Sequence, residues 1–318
     1  MLGMRRTLWV VTPELAGAVQ ASSTDKVAAA ERRRAEQLVA ANGHADDPGP
    51  WLEALGARLL AEIQDRGEVT TRELPDLVPE LGLQVELAPG KPYNASASVA
   101  SRLLPVLAAE GHLVRTRPLG SWVASQYRWT STARWLGAEP ARPERADAQA
   151  EVARRWLAAF GPGTDEDLRW WTGWTKGHTR AALEAVGAVE IDLDGGATGW
   201  VLPDDTERSA AVEPVAALLP SLDPTTMGWK ERAWYLGDHA ERLFDRNGNA
   251  GPTIWWDGRV VGGWAQRGDG TVATELLDDV GTEGRGAIDD AAGRLEAWLG
   301  DTRVRTRFPT PLERDLRA

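Results

Sequence analysis

The chain has 318 residues, of which 42% are hydrophobic and 26% charged, and its formal net charge is −11. This length exceeds one ordinary hydrophobic core, so we expect two or three folded domains. Its apolar runs are too short for a membrane span, and the N-terminus lacks the apolar run of a secretory signal. The absence of cysteine excludes disulfides and thiolate zinc sites. We therefore expect a cytoplasmic protein without membrane, metal or cofactor binding.

The acidic net charge is unevenly distributed along the chain. Residues 1–34 carry six basic and three acidic side chains, and residues 102–134 carry five basic and one acidic. DNA phosphates respond to the local field around a protein rather than to its net charge. The two basic segments therefore keep a nucleic acid open as a partner.

The side-chain polarity of residues 4–11 (MRRTLWVV) alternates in a way that predicts a strand. We interpret this strand as the last wing strand of a preceding winged-helix module whose helices are missing from the chain. Arg5 and Arg6 would then lie on a hairpin that enters a groove of DNA. The alternative for this segment is an ordinary sheet edge.

The pattern between residues 51 and 130 predicts three helices followed by a hairpin, which is the order of a winged helix. Gly67 stops the first helix, and the threonines after it cap the second. Pro105 lies inside the third helix and is expected to kink it or to shorten its first half. The predicted segments are a helix over 51–64, a helix after Thr71, a helix from near Ser96 to Gly111, and strands over 112–117 and 122–130.

The same order recurs after residue 150. Thr164 and Asp167 resemble a capping box, and the run Asp194-Gly195-Gly196 is typical of a hairpin turn. Because the order of three helices and a hairpin occurs twice, tandem winged-helix modules are favoured over a chance match. The predicted segments are helices over 151–160, 164–171 and 176–186, and strands over 188–193 and 199–202.

Beyond residue 226 the pattern changes to that of a small α+β domain. A hairpin is predicted around Asp257-Gly258, followed by a strand over 271–277, a helix over 286–299 and a strand over 302–308. The fold class is therefore α+β, with tandem winged-helix modules (helix-turn-helix plus β-hairpin wing) and a small α+β C-terminal domain. Linker-like runs divide the chain into a remnant of a first winged helix over 1–44, a second winged helix over 45–138, a third over 148–204 and the C-terminal domain over 212–318.

Basic and hydroxyl side chains on the last helix and the wing of each module are the candidate DNA contacts. The alternatives are a solvated helix face, cross-strand pairing with acids, and incidental cations at a helix start, where the helix dipole disfavours them. The candidates are Arg5, Arg6, Ser98, Ser101, Arg102, Arg115, Arg117, Arg128, Lys176 and Arg180, with His178 beside the last two.

Other conspicuous residues have a structural interpretation. The spacing of Trp170 and Trp174, and of Trp255 and Trp256, favours core packing over base stacking. The acids at 165–167 lie in the first turn of a helix, where negative charge is favourable without any catalytic role. Gly-rich runs at 161–163 and 268–270 lack the residues of a nucleotide loop and are expected to be turns.

Several segments, in order and spacing, resemble the winged-helix DNA glycosylase family (AlkZ-like proteins, which excise alkylated bases and unhook crosslinks). The resemblance covers nearly the whole chain and implies a DNA-binding protein. The matching segments are Gly3 to Leu8 (GMRRTL), 119–129 (LGSWVASQYRW), 170–174 (WWTGW), 219–224 (LPSLDP) and 244–264 (FDRNGNAGPTIWWDGRVVGGW).

The chain also departs from that family. The resemblance implies a Gln-x-Gln or Gln-x-Asp motif upstream of the segment matching Met4 to Leu8, and the chain begins too late to contain it. Trp9 stands where family members often have histidine. Triplets at 84–86 and 149–151 stand in the wrong places, so no catalytic residue is assigned. We therefore expect an N-terminally shortened member that does not release an alkylated base.

Three functions remain open from the sequence. The first is a DNA-binding protein of the glycosylase family, the second a non-enzymatic winged-helix regulator or structural DNA binder, and the third a protein–protein scaffold. A monomer that binds double-stranded DNA is the expected form. Binding that weakens as salt rises would separate the first two functions from the third.

Overall fold

The computed structural model describes residues 1–120, 124, 126–306 and 308–318, without the side chain of Arg6. The protein has mixed helices and antiparallel sheets, as the sequence predicts. The chain forms two compact units. Unit 1 comprises Met1–Arg155 and Thr172–Val186, and unit 2 comprises Trp156–Trp171 and Gly187–Ala318. The four-domain division remains a prediction, and the segment 148–204 contributes residues to both units.

Unit 1 begins with helical rather than extended structure. A 3-10 helix covers Met4–Arg6, and α1 (Pro13–Val19), a π-helical turn (Gln20–Thr24) and α2 (Asp25–Ala41) follow. The predicted strand over 4–11 is therefore wrong. The chain folds back here because the Trp9 indole donates to the Met4 carbonyl at 3.0 Å and the Trp9 amide donates to the Met1 carbonyl at 2.8 Å. Arg5 takes a left-handed φ of 54°, which ends any extended run.

The next part of unit 1 contains the predicted three helices and hairpin. Strands β1, β5 and β4 form an antiparallel sheet in that order, and the helices enclose a core around Leu59, Leu74 and Leu103. The elements are α3 (Pro48–Arg66), β1 (Val69–Thr70), α4 (Leu74–Leu77), a 3-10 turn (Pro79–Gly82), β2 (Gln84–Glu86), β3 (Ser96–Ser98), α5 (Val99–Ala109), β4 (Leu113–Pro118), β5 (Tyr127–Ser131) and α6 (Thr132–Leu136).

Two details of this part differ from the sequence prediction, and one predicted strand is described only in part. Helix α5 begins at Val99, since Ser96–Ser98 pair with Gln84–Glu86 as a strand. Pro105 does not shorten the helix, because its ring lies on the exposed side and α5 continues to Ala109. The predicted strand over 122–130 is described only from Tyr127 onward, and Ser121–Val123 and Ser125 lie outside the described residues.

The recurrence after residue 150 is present in the order predicted. The helices are α7 (Arg145–Phe160), α8 (Asp165–Thr172) and α9 (Lys176–Ala185). Strands β6 (Val189–Asp192) and β7 (Thr198–Val201) form an antiparallel hairpin within unit 2. Helix α9 belongs to unit 1, where Thr179, Ala182 and Leu183 are its buried residues.

Unit 2 is built around a four-stranded antiparallel sheet in the order β11-β10-β9-β8. The predicted hairpin turns at Asp257 and Gly258, which both have positive φ. Residues 302–306 do not form the predicted strand, because the side chain of Gln266 bonds the Thr302 carbonyl and the Val304 amide in place of a neighbouring strand. The elements are β8 (Ala216–Leu219), α10 (Ala233–Leu236), α11 (Ala240–Leu243), β9 (Thr253–Trp256), β10 (Arg259–Gln266), β11 (Val272–Leu276), α12 (Gly281–Leu299) and α13 (Pro311–Arg317).

Candidate nucleic-acid interface

The start of α5 holds three of the predicted contact residues within one helical turn. The Ser98 hydroxyl caps the helix by accepting from the Ser101 amide at 3.3 Å, and the Ser101 hydroxyl donates to the Ser98 carbonyl at 2.7 Å. Arg102 Nε lies 3.4 Å from Ser101 Oγ. The two serines thus have local partners that fix the start of the helix, and Arg102 supplies the charge of this turn.

The hairpin β4–β5 presents Arg115 on one of its two faces. Arg115 is paired in register with Trp129, so the two side chains share a face. The Arg115 guanidinium carbon lies 5.0 Å from the centroid of the Trp129 ring and 5.4 Å from that of Tyr127. Arg115 remains exposed, as does Arg117 further along the strand. The alternative of pairing with an acid is not seen for Arg115, whose guanidinium instead lies over two aromatic rings.

Arg128 lies on the opposite face of the hairpin from Arg115. Neighbouring residues of a strand point to opposite faces, and Arg128 is next to Trp129 on β5. In the register of the sheet, Arg128 is paired with Thr70 on β1. The Glu73 carboxylate accepts from the Thr70 amide at 2.6 Å and the Thr70 hydroxyl at 2.8 Å. These bonds, with the nearby charge of Arg128, hold the pKa of Glu73 below its usual range. The three wing arginines predicted together therefore do not form one surface.

The other candidates lie at two helix starts. Arg5 is partly buried in the 3-10 helix Met4–Arg6, and the side chain of Arg6 lies outside the described residues. Lys176 and Arg180 are both exposed on α9, one turn apart, and the Thr175 hydroxyl caps this helix by accepting from the His178 amide. The structure thus keeps Lys176 and Arg180 on a single exposed helix face.

The candidate cations of α5, of the hairpin β4–β5 and of α9 contrast with the ion-paired arginines of unit 1. Among the described residues, none of Arg102, Arg115, Arg117, Arg128, Lys176 and Arg180 forms an ion pair. Several arginines elsewhere are paired. Arg32 makes a bidentate pair with Glu110, and further pairs are Arg58–Glu80, Arg66–Glu62, Arg154–Glu151 and Arg155–Glu151. A polyanion that approaches the candidate cations displaces no intramolecular ion pair of theirs.

A family model described as DNA glycosylase AlkZ-like matches residues 1–298. The chain belongs to the AlkZ-like DNA glycosylase family. Among solved structures, it is similar to the Streptomyces sahachiroi DNA glycosylase AlkZ, with 20% sequence identity and a TM-score of 0.68 over 96% of this chain and 80% of that chain. At this identity the likeness shows a shared fold. A search of curated proteins found no match.

Several of the described tryptophans of this AlkZ-like protein pack in its cores. Trp174 is 7% exposed and Trp255 is 8% exposed, as the sequence predicts for core residues. Trp170 and Trp256 are partly exposed, and Trp170 packs against the Arg232 guanidinium at 5.4 Å. Sequence reasoning missed the pairing of Trp129 and Tyr127 with Arg115. The two-residue spacing of the rings was the available signal, but the strand register was needed to read it.

The acids at the start of α8 in this AlkZ-like chain have structural partners, in agreement with the first-turn interpretation. Asp167 is 3% exposed and accepts from the amides of Thr164, Lys230 and Glu231 and from the Thr164 hydroxyl. Glu166 pairs with Arg169 and Lys230, whose hydrogen bonds lower its pKa. Within the described ranges, no group of three or more His, Asp or Glu side chains is placed to hold a metal ion, and no helix is long and apolar enough to cross a membrane.

Proposed function

We propose that this AlkZ-like protein binds double-stranded DNA through basic side chains of unit 1. The proposed contacts are the arginines of α5 and of the hairpin β4–β5, together with Lys176 and Arg180 on α9. The observation that carries the proposal is that these exposed or half-exposed cations form no ion pair among the described residues, although the chain as a whole has a formal net charge of −11. Phosphates respond to such local charge.

The order of elements supports a winged helix as the DNA-binding module. Helix α3, strand β1, helices α4 and α5, and the hairpin β4–β5 follow one another, with β1 added to the hairpin as a third strand. In proteins of this type the last helix approaches the major groove and the hairpin contacts the backbone. We therefore assign Arg102, near the start of α5, to the groove side, and the hairpin arginines to phosphates. Ser98 and Ser101 fix the helix start from which Arg102 projects.

The N-terminal arginines complete the proposed set. Arg5 and Arg6 lie in a segment of 3-10 helix instead of a hairpin strand, so their proposed contact is with phosphate at the edge of the interface. We also propose a second winged-helix module, which comprises α7, α8, α9 and the hairpin β6–β7. This proposal rests only on the order of these elements along the chain. Lys176 and Arg180 are its proposed phosphate contacts.

Base excision is assigned to no described residue. Such chemistry needs a carboxylate or amide that positions water beside a sugar carbon with oxocarbenium character. In the two triplets that resemble the family motif, two of the side chains have partners and a third is buried. Gln84 Nε2 donates to the Gly82 carbonyl, Gln149 is buried, and Glu151 pairs with Arg155. We therefore expect no release of an alkylated base from duplex DNA by these 318 residues, and detectable release would contradict this part of the proposal.

Titration of a labelled DNA duplex at several salt concentrations tests the binding proposal. Each phosphate contact contributes about −0.9 to the slope of log K against log salt, so six contacts would give a slope near −5. We expect a slope of about −4 or steeper. An affinity that does not fall with salt would instead favour the third function, a protein–protein scaffold consistent with the acidic net charge.

A further inference from the structure

Arg115 is held against two aromatic rings of the neighbouring strand. Its guanidinium carbon lies 5.0 Å from the Trp129 centroid and 5.4 Å from the Tyr127 centroid, both within the range of a cation–π contact. The two rings are two residues apart on β5, so they share the hairpin face that also carries Arg115. The side chain therefore has two separate restraints on one face.

The larger ring is itself fixed in place. Trp129 is 4% exposed, packs in the core with Leu113, and donates its indole N–H to the Thr71 hydroxyl at 3.1 Å. Tyr127 is half-buried next to it. A guanidinium that rests on rings anchored in this way loses less conformational entropy when it binds a ligand than a freely rotating arginine does.

The rings restrain Arg115 without neutralising its charge. Arg32 illustrates the opposite case, since Glu110 satisfies its guanidinium with two hydrogen bonds. Among the described residues, the side chain of Arg115 makes no ion pair or hydrogen bond. The charge of Arg128, on the other face of the hairpin, is the one that lowers the pKa of Glu73 together with the Thr70 hydrogen bonds. The N–H groups of Arg115 thus remain available for an external acceptor.

We propose that Tyr127 and Trp129 form an aromatic cradle that positions Arg115 for a two-bond contact with one DNA phosphate. This inference rests on the proposed function and adds Tyr127 to it as a positioning residue. A phosphate fits because the planar guanidinium donates two parallel N–H bonds through its edge while a face lies on the rings. Lysine, a point charge without that fork, would not use the cradle in the same way.

The test measures duplex affinity and its salt slope for variants of the full chain. Tyr127→Leu removes one ring and is expected to weaken binding about two- to fivefold. Tyr127→Phe keeps the ring and should bind as the wild type does. Arg115→Gln should make the salt slope shallower by about 0.9. In the Arg115→Gln background, Tyr127→Leu should have no further effect, because the ring acts only through Arg115.

Two further variants control for damage to the fold. Tyr93→Leu replaces a tyrosine that is 75% exposed in the same unit and should not change the affinity. Arg115→Lys keeps both rings and the charge, so it should keep the salt slope and lose affinity. This second variant carries the test if Tyr127→Leu does not fold.

Each remaining outcome would overturn the inference. An equal loss from Tyr127→Leu with and without Arg115 would mean that the ring contacts DNA itself. A salt slope unaltered by Arg115→Gln but reduced by Arg102→Gln would refute the cradle and leave the proposed function intact. If neither arginine variant alters the slope, then both the inference and the proposed function fail.

Discussion

The indole N–H of Trp174 donates to the backbone carbonyl of Ser22 at 2.9 Å, and both residues are buried in unit 1. Ser22 belongs to the π-helical turn between α1 and α2, whereas Trp174 immediately precedes the cap of α9. The same N–H lies 3.3 Å from the Ser23 hydroxyl. This bond therefore ties the start of α9, which carries Lys176 and Arg180, to the N-terminal helices.

Trp174→Phe should loosen this attachment. The ring remains and fills most of the space, but the Ser22 carbonyl loses its donor, which costs about 1–3 kcal/mol for a buried acceptor. We expect faster hydrogen exchange in the amides of residues 176–186 and weaker duplex binding. Trp135→Phe, at a tryptophan that is 53% exposed, is the matched control and should change neither. Equal exchange in wild type and Trp174→Phe would refute the role of this bond.

Asp167→Asn should destabilise unit 2 without affecting DNA binding. The carboxylate accepts four hydrogen bonds, three of them from backbone amides, and an amide side chain cannot accept at both ends. We expect the unfolding midpoint in urea to fall by an amount equivalent to about 2–3 kcal/mol. Asp165→Asn, at the exposed first position of the same helix, is the control. A loss of duplex affinity with unchanged stability would instead give Asp167 a functional role.

Glu73 should contribute a measurable acid dependence to unit 1. Its pKa is lowered in the folded state by the Thr70 amide and hydroxyl, so its contribution is complete above the unfolded-state pKa of about 4.3. That contribution is lost as the pH falls through the lower folded-state pKa. Glu73→Gln should therefore flatten the fall of the unfolding midpoint between about pH 5 and pH 3. Glu68→Gln, at an exposed neighbour, should retain the wild-type fall, and identical pH profiles for all three proteins would refute the assignment.

Sequence patterns predicted the elements whose signals were strong and local. The helix over 51–64, the hairpin at Asp257 and the helix from 286 are all present because apolar periodicity and turn residues determine them directly. Helix α2 was not predicted, since its buried residues are mainly small (Ala28, Ala35 and Val39) and give a weak apolar stripe. The 3-10 helix at Met4 depends on the indole of Trp9, which periodicity does not show.

The candidate site could be predicted by residue type but not by geometry. Local charge identified Arg102, Arg115, Arg117 and Arg128, and none of them forms an ion pair among the described residues. Which face each arginine occupies depends on strand register, because a shift of one residue moves a side chain to the other side of a hairpin. The pairing of Arg115 with Trp129 separates it from Arg128, and no local pattern specifies that pairing.

We propose that the candidate cations of unit 1 that form no ion pair, and not its ion-paired arginines, bind duplex DNA. The direct test compares the salt slope of two variants with the same charge change. In the first, Arg102, Arg115, Arg117 and Arg128 are replaced by Gln. In the second, the replaced residues are Arg58, Arg66, Arg154 and Arg155, which are all ion-paired. Because three of the first four residues are proposed phosphate contacts, we predict a slope shallower by about 2 to 3 for the first variant and by less than about 1 for the second. Equal slopes for the two variants would contradict the account.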